Sequence, residues 1–246
     1  MARIDPAHHR RGLEHASRRL LLRGTLSIGA LSLLTGCNLQ DDDAVDRVLS
    51  AMSRWNDTVQ AALFNRARLA PTYNEADITD PFPFNAYYPL SEVRYVDGAA
   101  WLEVSGLVSE RRKWTLAELA TLPQTDQITR HICIEGWSAI GKWGGVPFRD
   151  FLARIGADTR ARYVSFRCAD DYRSSIDMAT ALHQQTLLAL TFRDRPLPAA
   201  YGFPVKLRVP TKLGFKNPKH IVAIDVTNVY PGGFWEDYGY NWFSGC

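Results

Sequence analysis

Residues 130–138 contain the side chain with the most distinctive chemistry in this sequence, Cys133. The pattern predicts a strand over Ile128–Glu135, with Cys133 late in it and a turn at Gly136-Trp137. A strand end can present a thiolate to a ligand, and the thiolate is the form that binds metals. The alternative is a buried structural cysteine, because a free cysteine behaves as a small apolar side chain. The local pattern leaves both interpretations open.

A second feature is a basic cluster around a glycine-containing turn between two predicted strands. Its five cations fall within fourteen residues, and they are Lys206, Arg208, Lys212, Lys216 and Lys219. Backbone N–H groups and charge-assisted hydrogen bonds at such a turn suit a phosphate group. A solvated basic face is the alternative, since runs of charge commonly face water.

Composition and missing motifs exclude several classes of protein. The 246 residues are 46% hydrophobic and 22% charged, which is typical of a globular protein and not of a disordered, collagenous or coiled-coil chain. Residues 1–36 hold six arginines and two acidic residues; removing them from totals of 29 and 26 leaves 23 basic and 24 acidic residues. The remaining chain therefore does not predict nucleic-acid binding. Motifs of nucleotide-binding loops, serine hydrolases, zinc proteases and CxxC metal sites are also missing from the sequence.

The first 36 residues have the order of an export signal. Arg18-Arg19 precede an apolar run, Leu26–Leu34, that is shorter than the roughly 20 residues needed to span a bilayer. The arginine pair resembles a twin-arginine signal, and Leu34–Cys37 resembles a lipobox whose cysteine receives lipid. We expect a signal peptide over 1–36, passage through the twin-arginine machinery, and a periplasmic protein anchored to the membrane by lipid on Cys37. An uncleaved anchor is the alternative.

The rest of the chain predicts a single α+β domain preceded by a helical segment. Residues 37–80 are interpreted as a tether followed by a helix over Val45–Leu69, which Pro71 ends. Residues 81–246 alternate short strands and short helices, which favours an α+β fold around a mixed sheet. The predicted strands are Trp101–Val104, Ile128–Glu135, Tyr163–Arg167, Thr186–Phe192, Val205–Val209 and His220–Val226. The predicted helices follow a capping box at Thr115 and run to Leu122, cover Pro147–Ile155, and run from Asp177 to His183.

Together these segments resemble the sulfite oxidase-type molybdopterin domain family. The resemblance rests on Cys133–Ser138, Trp143–Pro147, Pro204–Pro210 and Gly214–Lys216, and it extends roughly from Val93 to Val226. Within that family the sequence is most similar to the periplasmic catalytic subunits of bacterial protein-methionine-sulfoxide reductases. The resemblance implies the mixed-sheet sulfite oxidase-type fold and a cofactor of molybdenum bound to molybdopterin through a dithiolene.

The resemblance also assigns site residues. It implies that Cys133 is the metal ligand and the catalytic residue. The remaining predicted cofactor contacts are Cys168 in place of the family's threonine, Lys206 in place of its arginine, Tyr201 in place of an asparagine, Asn217, Pro218 and Lys219 around the phosphate, and Asn85 with Asn74 as the other candidate.

Departures from the family's pattern bear on the substrate. Sulfite oxidases place Arg-Asn-His where this sequence has Phe84-Asn85-Ala86, so the positive charge that binds sulfite is missing there. Arg130, Arg167 or Arg173 could replace it. The aromatic segment 233–243 either lines a substrate funnel or covers the core.

We therefore expect two-electron oxygen-atom transfer on a sulfoxide-type substrate. A cytochrome domain is not recognisable in this sequence, so we expect a separate haem protein, a membrane cytochrome, as the electron-transfer partner. Two alternatives are oxidation of sulfite or another small reductant on the same scaffold, and a non-catalytic, lipid-anchored binding protein.

Overall fold

The computed structural model describes residues 42–93 and 101–246. Within them the chain divides into two units, one ending at Met52 and the other comprising the rest. The first helix, α1 (Asp42–Leu63), begins in the first unit, and all the strands given below belong to the second. The predicted signal peptide and Cys37 lie outside the described residues.

Helix α1 ends earlier than the sequence predicts. It stops at Leu63, six residues before Leu69 and well before Pro71. The side chain of Asn65 accepts a hydrogen bond from the Ala67 N–H at 2.9 Å, which offers the backbone a turn in place of another helical repeat. No helix in the described part of the chain combines the length and the apolar character needed to cross a bilayer.

Short strands and helices alternate through the second unit. In chain order they are β1 (Trp101–Gly106), β2 (Lys113–Thr115), α2 (Leu116–Thr121), β3 (Thr125–Ile132), β4 (Ser138–Pro147), α3 (Phe148–Arg154), β5 (Tyr163–Cys168), β6 (Arg173–Asp177), α4 (Met178–Ala181), β7 (Leu187–Phe192), β8 (Arg195–Pro196), β9 (Lys206–Arg208) and β10 (Ile221–Thr227). Single 3₁₀ turns at Gly214–Lys216 and Glu236–Tyr238 contribute to the site described below.

Two sheets organise these strands. The first has the order β2-β1-β10-β5-β6, in which β1 and β10 are parallel and the other neighbours antiparallel. The second has the order β3-β4-β7-β8, with β9 also paired to β7. Helices and mixed sheets thus form one α+β unit, which confirms the predicted fold class.

The core follows the strand alternation and the helix faces. Val164 and Phe166 of β5, and Ile224 and Val226 of β10, are buried at period two, as a sheet with one face on the core requires. The predicted capping box of α2 is present, because the Glu118 N–H donates to Thr115 Oγ1 at 3.2 Å. At these elements the alternation and capping signals of the sequence agree with the packing in the structure.

Strand β4 is the main element that the sequence prediction missed. The sequence analysis assigned no strand to this segment, yet the strand runs through its glycines because β3 and β7 approach its backbone closely. A Cβ at Gly144 would overlap the side chains of Asp126 and Thr191, and one at Gly145 would overlap a backbone carbonyl of β7. Pro147, predicted in the first helical turn, is instead the N-cap of α3.

Candidate active site

The hairpin between β3 and β4 fixes the position of Cys133. Strand β3 ends at Ile132, so Cys133 is the first residue of the turn and not, as predicted, inside the strand. Its N–H donates to the Trp137 carbonyl at 2.8 Å, and the Gly136 N–H donates back to the Cys133 carbonyl at 3.2 Å. Gly136 has a φ of +92°, which a glycine adopts without strain. The turn therefore holds the cysteine backbone at both of its hydrogen-bonding groups.

The thiol of Cys133 is nearly enclosed, with 4% of the residue exposed. Burial raises its pKa above the ordinary value; hydrogen bonds from the Glu135 N–H and from Asn85 act in the opposite direction. Asn85 Nδ2 lies 3.7 Å from Cys133 Sγ. A metal cation on the sulfur would supply the charge that stabilises the thiolate in this buried place.

A small cleft with a cavity volume of about 60 Å³, partly open to solvent, is lined by Cys133. Its lining comes from five parts of the chain: Asn85–Tyr87, Cys133–Glu135, Asp170 with Tyr172, Gly214 and Phe215 with Asn217–Lys219, and Trp235. The structure thus brings five predicted site residues to one cleft. They are Asn85, Cys133, Asn217, Pro218 and Lys219.

All five cations of the basic cluster are buried, each 8% exposed or less. The alternative interpretation, a solvated basic face, is therefore wrong. Arg208 donates to Asn217 Oδ1 at 2.8 Å and to the Arg130 carbonyl at 2.5 Å. Lys212 Nζ donates to the Phe243 carbonyl at 2.8 Å, and Lys216 pairs with Glu236.

Two of these cations, Lys206 and Lys219, hydrogen-bond to backbone carbonyls and have no ion pair within the described part of the chain. Lys206 Nζ donates to the Asn217 carbonyl at 3.4 Å, and Lys219 Nζ donates to the Ala200 carbonyl at 3.2 Å. Among the described residues neither ammonium has a carboxylate within 4.0 Å. Burial, with Lys219 and Arg208 nearby, lowers the pKa of Lys206 well below its usual range. Buried cations without an anion are costly, so the arrangement fits a bound anionic group.

His131 supports the same conclusion, although the sequence analysis did not select it. It is 2% exposed, and neither ring nitrogen has a hydrogen-bond partner in the described part of the chain. Burial, followed by the charges of Arg208, Lys206 and Lys219, holds its pKa well below the ordinary value. A Cβ on Gly214 would come 2.6 Å from His131 Nε2, so the turn packs directly on the imidazole. The signal available in the sequence was its position two residues before Cys133, on the same face of the predicted strand.

The residues present therefore fit a phosphate-bearing pterin with a thiolate-bound metal. Cys133 offers the sulfur ligand, while Lys206, Lys219 and His131 offer unused donors to an anion. Among the described residues, no group of three or more His, Cys, Asp or Glu side chains could hold a metal by itself.

Four predicted contacts, Asn74, Cys168, Tyr201 and Lys206, lie outside the cleft lining. Asn74 is exposed and caps a 3₁₀ turn, so the structure favours Asn85 of the two candidates. Tyr201 donates its hydroxyl to the Phe82 carbonyl at 2.8 Å. Cys168, 3% exposed at the end of β5, lines a neighbouring groove. Their roles toward the cofactor stay predictions, as does that of Lys206, which is buried outside the cleft lining.

The arginines proposed to replace the missing charge do not line the cleft. Arg130 lies over the Tyr73 ring at 5.2 Å, and Arg167 and Arg173 pair with carboxylates on the surface. Among the described residues, Lys219 is the one cation in the lining, together with the carboxylates of Glu135 and Asp170.

The buried ammonium of Lys219 predicts a pH-dependent stability of the cofactor-free protein. Burial lowers its pKa from 10.5 to about 8, so between these values the unfolded chain holds a proton that the folded chain lacks. Relative to a Lys219→Met variant, the wild type should therefore lose about 3 kcal/mol of unfolding free energy as the pH falls from 10.5 to 8.

Urea titrations of both proteins across this pH range measure the difference. The pH effect should disappear when the cofactor is bound, because a phosphate favours the protonated amine. Parallel pH curves for the two cofactor-free proteins would contradict the prediction.

Comparisons with known proteins agree with this geometry. Residues 91–235 match the family described as the oxidoreductase molybdopterin binding domain. The chain is 62% identical over 234 residues to the putative protein-methionine-sulfoxide reductase subunit YedZ1 of Azospira oryzae, covering 95% of this chain and 89% of that protein. It is 34% identical over 152 residues to the protein-methionine-sulfoxide reductase catalytic subunit MsrP of Xanthomonas campestris, covering 55% of this chain and 47%, about half, of that protein.

A solved structure, the sulfane dehydrogenase SoxCD from Paracoccus pantotrophus, is similar at a TM-score of 0.49 and 19% identity, over 52% of this chain and 38% of that one. The family match covers more than half of this sequence, and the Azospira relative matches nearly all of it. The chain therefore belongs to the oxidoreductase molybdopterin binding domain family, and it is an oxidoreductase with a molybdenum-pterin cofactor.

Proposed function

We propose that this protein is exported, is anchored to the membrane by lipid on Cys37, and reduces a sulfoxide by two-electron oxygen-atom transfer. The observation that carries the substrate proposal is the wall of the cleft beside Cys133, which is aromatic and acidic. Tyr87, Phe215 and Trp235 supply the aromatic surface, and no arginine of the described chain lines it.

The charges favour a neutral substrate over an anion. Sulfite would meet the carboxylates of Glu135 and Asp170, while the cation of the lining, Lys219, lies on the side proposed to hold the phosphate. A sulfoxide carries no net charge, and its sulfur and methyl groups suit aromatic contacts. Both relatives named above are described as protein-methionine-sulfoxide reductases or subunits of one, which supports the same substrate class.

The residues of the chain then have separable roles. When bound, the molybdenum-pterin group supplies the two-electron chemistry. Cys133 would hold the metal through its thiolate, and Asn85 directs an N–H toward that sulfur. Lys206 and Lys219 would neutralise the phosphate, and the Phe215 and Trp235 rings would line the cleft beside the metal.

Reduction of a sulfoxide to a thioether and water consumes two electrons and two protons. We propose that the electrons come from a separate haem protein in the membrane. Export through the twin-arginine machinery suits a protein that folds around its cofactor before it crosses the membrane.

A substrate comparison tests the activity. The purified, molybdenum-loaded protein is supplied with an artificial electron donor and methionine sulfoxide, and separately with sulfite and an artificial electron acceptor. We expect turnover in the first assay and at most weak turnover in the second. Rapid sulfite oxidation with no sulfoxide reduction would contradict this proposal and favour the alternative, oxidation of sulfite.

Membrane attachment gives a separate prediction. Cys37→Ser removes the acceptor of the lipid, so the protein should move from the membrane fraction to the soluble periplasmic fraction, as detergent partition measures. Cys246→Ser is the control and should stay in the membrane fraction. A Cys37→Ser protein that remains in the membrane would contradict the lipid anchor, and an Arg18→Lys, Arg19→Lys variant should accumulate in the cytoplasm.

A further inference from the structure

One wall of the cleft is formed by a segment near the C-terminus, residues 233–240, which we call the aromatic strap. Its Trp235 lines the cleft. The Phe234 ring packs against Tyr87 at 4.8 Å and Tyr172 at 5.6 Å, and both of these residues also line the cleft. The sequence analysis left open whether this segment lines a funnel or covers the core, and its contacts place it at the cleft.

A buried ion pair fastens the strap. Lys216 Nζ contacts Glu236 Oε1, with 1% and 4% of the two side chains exposed. Each partner follows a wall residue in the chain, since Lys216 comes directly after Phe215 and Glu236 directly after Trp235. The ion pair therefore links the backbone beside Phe215 to the backbone beside Trp235.

The aromatic strap also has space for the Glu236 carboxylate. A Cβ on Gly233 would overlap Glu236 Oε2, so the glycine provides the space that the carboxylate occupies. That oxygen has no hydrogen-bond partner among the described residues, which adds a desolvation cost. A buried ion pair of this kind is commonly no more stabilising than an apolar pair of similar volume. Stability alone therefore gives no reason for these two charges.

We propose that Lys216 and Glu236 are positioning residues that hold Trp235 and Phe215 in place on the wall of the cleft and so set which sulfoxides the cleft accepts. The inference rests on the proposed function for its substrate and on the ion pair for its geometry. Loosening the pair should weaken substrate binding and leave the chemistry at Cys133 unchanged.

Three changes break the pair in different ways. Glu236→Gln removes one charge, Lys216→Met removes the other, and Gly233→Ala displaces the carboxylate without altering either charge. The matched control is Asp237→Asn, which breaks the exposed Arg173–Asp237 pair on the same strap; such exposed pairs contribute little. A double variant, Lys216→Met with Glu236→Leu, replaces the buried pair by apolar side chains.

Hydrogen exchange tests the positioning without any substrate. The N–H groups of Asp237, Tyr238 and Tyr240 bond within the strap, to the carbonyls of Gly233 and Trp235. In the three single variants of the pair we expect these amides to exchange at least about tenfold faster, equivalent to about 1.4 kcal/mol of lost protection. In these variants the amides of the Cys133 turn should exchange at wild-type rates. In the Asp237→Asn control the strap amides should also exchange at wild-type rates. Unchanged exchange in the strap of all three variants would overturn the inference.

Steady-state kinetics of the molybdenum-loaded proteins tests the effect on substrate. We expect KM for a peptide containing methionine sulfoxide to rise about tenfold in each of the three, with kcat and molybdenum content near wild type. The double variant should regain thermal stability and keep the raised KM. A fall in kcat that parallels lost molybdenum, or a double variant with wild-type KM, would overturn the positioning role. If the wild type reduces no sulfoxide, the proposed function fails, and the exchange experiment still decides whether the pair holds the strap.

Discussion

Cys133→Ser should give a folded protein without turnover. Serine nearly conserves the volume of this side chain, and the turn is held by backbone hydrogen bonds that the substitution leaves in place. We therefore expect a change in unfolding free energy of about 1 kcal/mol or less. Activity should fall by more than about 100-fold, because a neutral hydroxyl is a poor substitute for a thiolate ligand. Mutation of residues that only hydrogen-bond to metal ligands already costs about 10- to 100-fold in metal affinity or activity.

The measurement combines urea unfolding, metal and pterin content, absorption spectra and the sulfoxide assay on one preparation. Cys168→Ser and Cys246→Ser are the matched controls, since they remove the other two cysteines of the described chain. The first should have a mild effect and the second none. A Cys133→Ser protein that binds molybdenum and turns over at a near wild-type rate would contradict both the ligand and the mechanism built on it.

The sequence predicted the parts of the site that depend on contiguous residues. Cys133 and the run Asn217–Lys219 each lie in a short segment whose residue types carry the chemistry, and the fold brings them to one cleft. Asn85 could not be separated from Asn74 by sequence alone. Their difference comes from a tertiary contact: Tyr88, three residues after Asn85, donates to Asp170 Oδ2 at 2.9 Å and holds that loop at the cleft.

Burial of the basic cluster was not predictable from the same information. A run of lysines normally faces water, and only a partner of opposite charge makes its burial favourable. Lys216 has such a partner in Glu236, whereas for Lys206 and Lys219 we propose the phosphate of the cofactor, which the sequence does not contain. Strand β4 was missed for a related reason, since its glycines are explained by the neighbouring strands that they admit.

The unpaired cations lead to a prediction in which stability and cofactor binding change in opposite directions. Lys206→Met keeps much of the length and volume of the side chain and removes an amine whose one hydrogen bond, at 3.4 Å, is long. In the cofactor-free protein the substitution removes a buried amine whose desolvation is poorly compensated by hydrogen bonds. We therefore expect the unfolding free energy to rise by about 1 to 3 kcal/mol. Cofactor content should fall, because the phosphate loses a charge-assisted partner.

The pH dependence follows from the lowered pKa of Lys206. Because the unfolded amine binds a proton that the buried amine resists, the wild type loses stability as the pH falls below 10.5, and the advantage of the methionine variant grows in the same direction. Urea unfolding of cofactor-free protein and pterin analysis of loaded protein measure the two effects. Lys142→Met is the control: Lys142 pairs with Glu75 at 2.6 Å and Asp194 at 2.7 Å, so removing it should give no gain in stability and no loss of pterin. A Lys206→Met protein that is less stable without cofactor, or that retains full pterin content, would show that this lysine is not held in place for an anion.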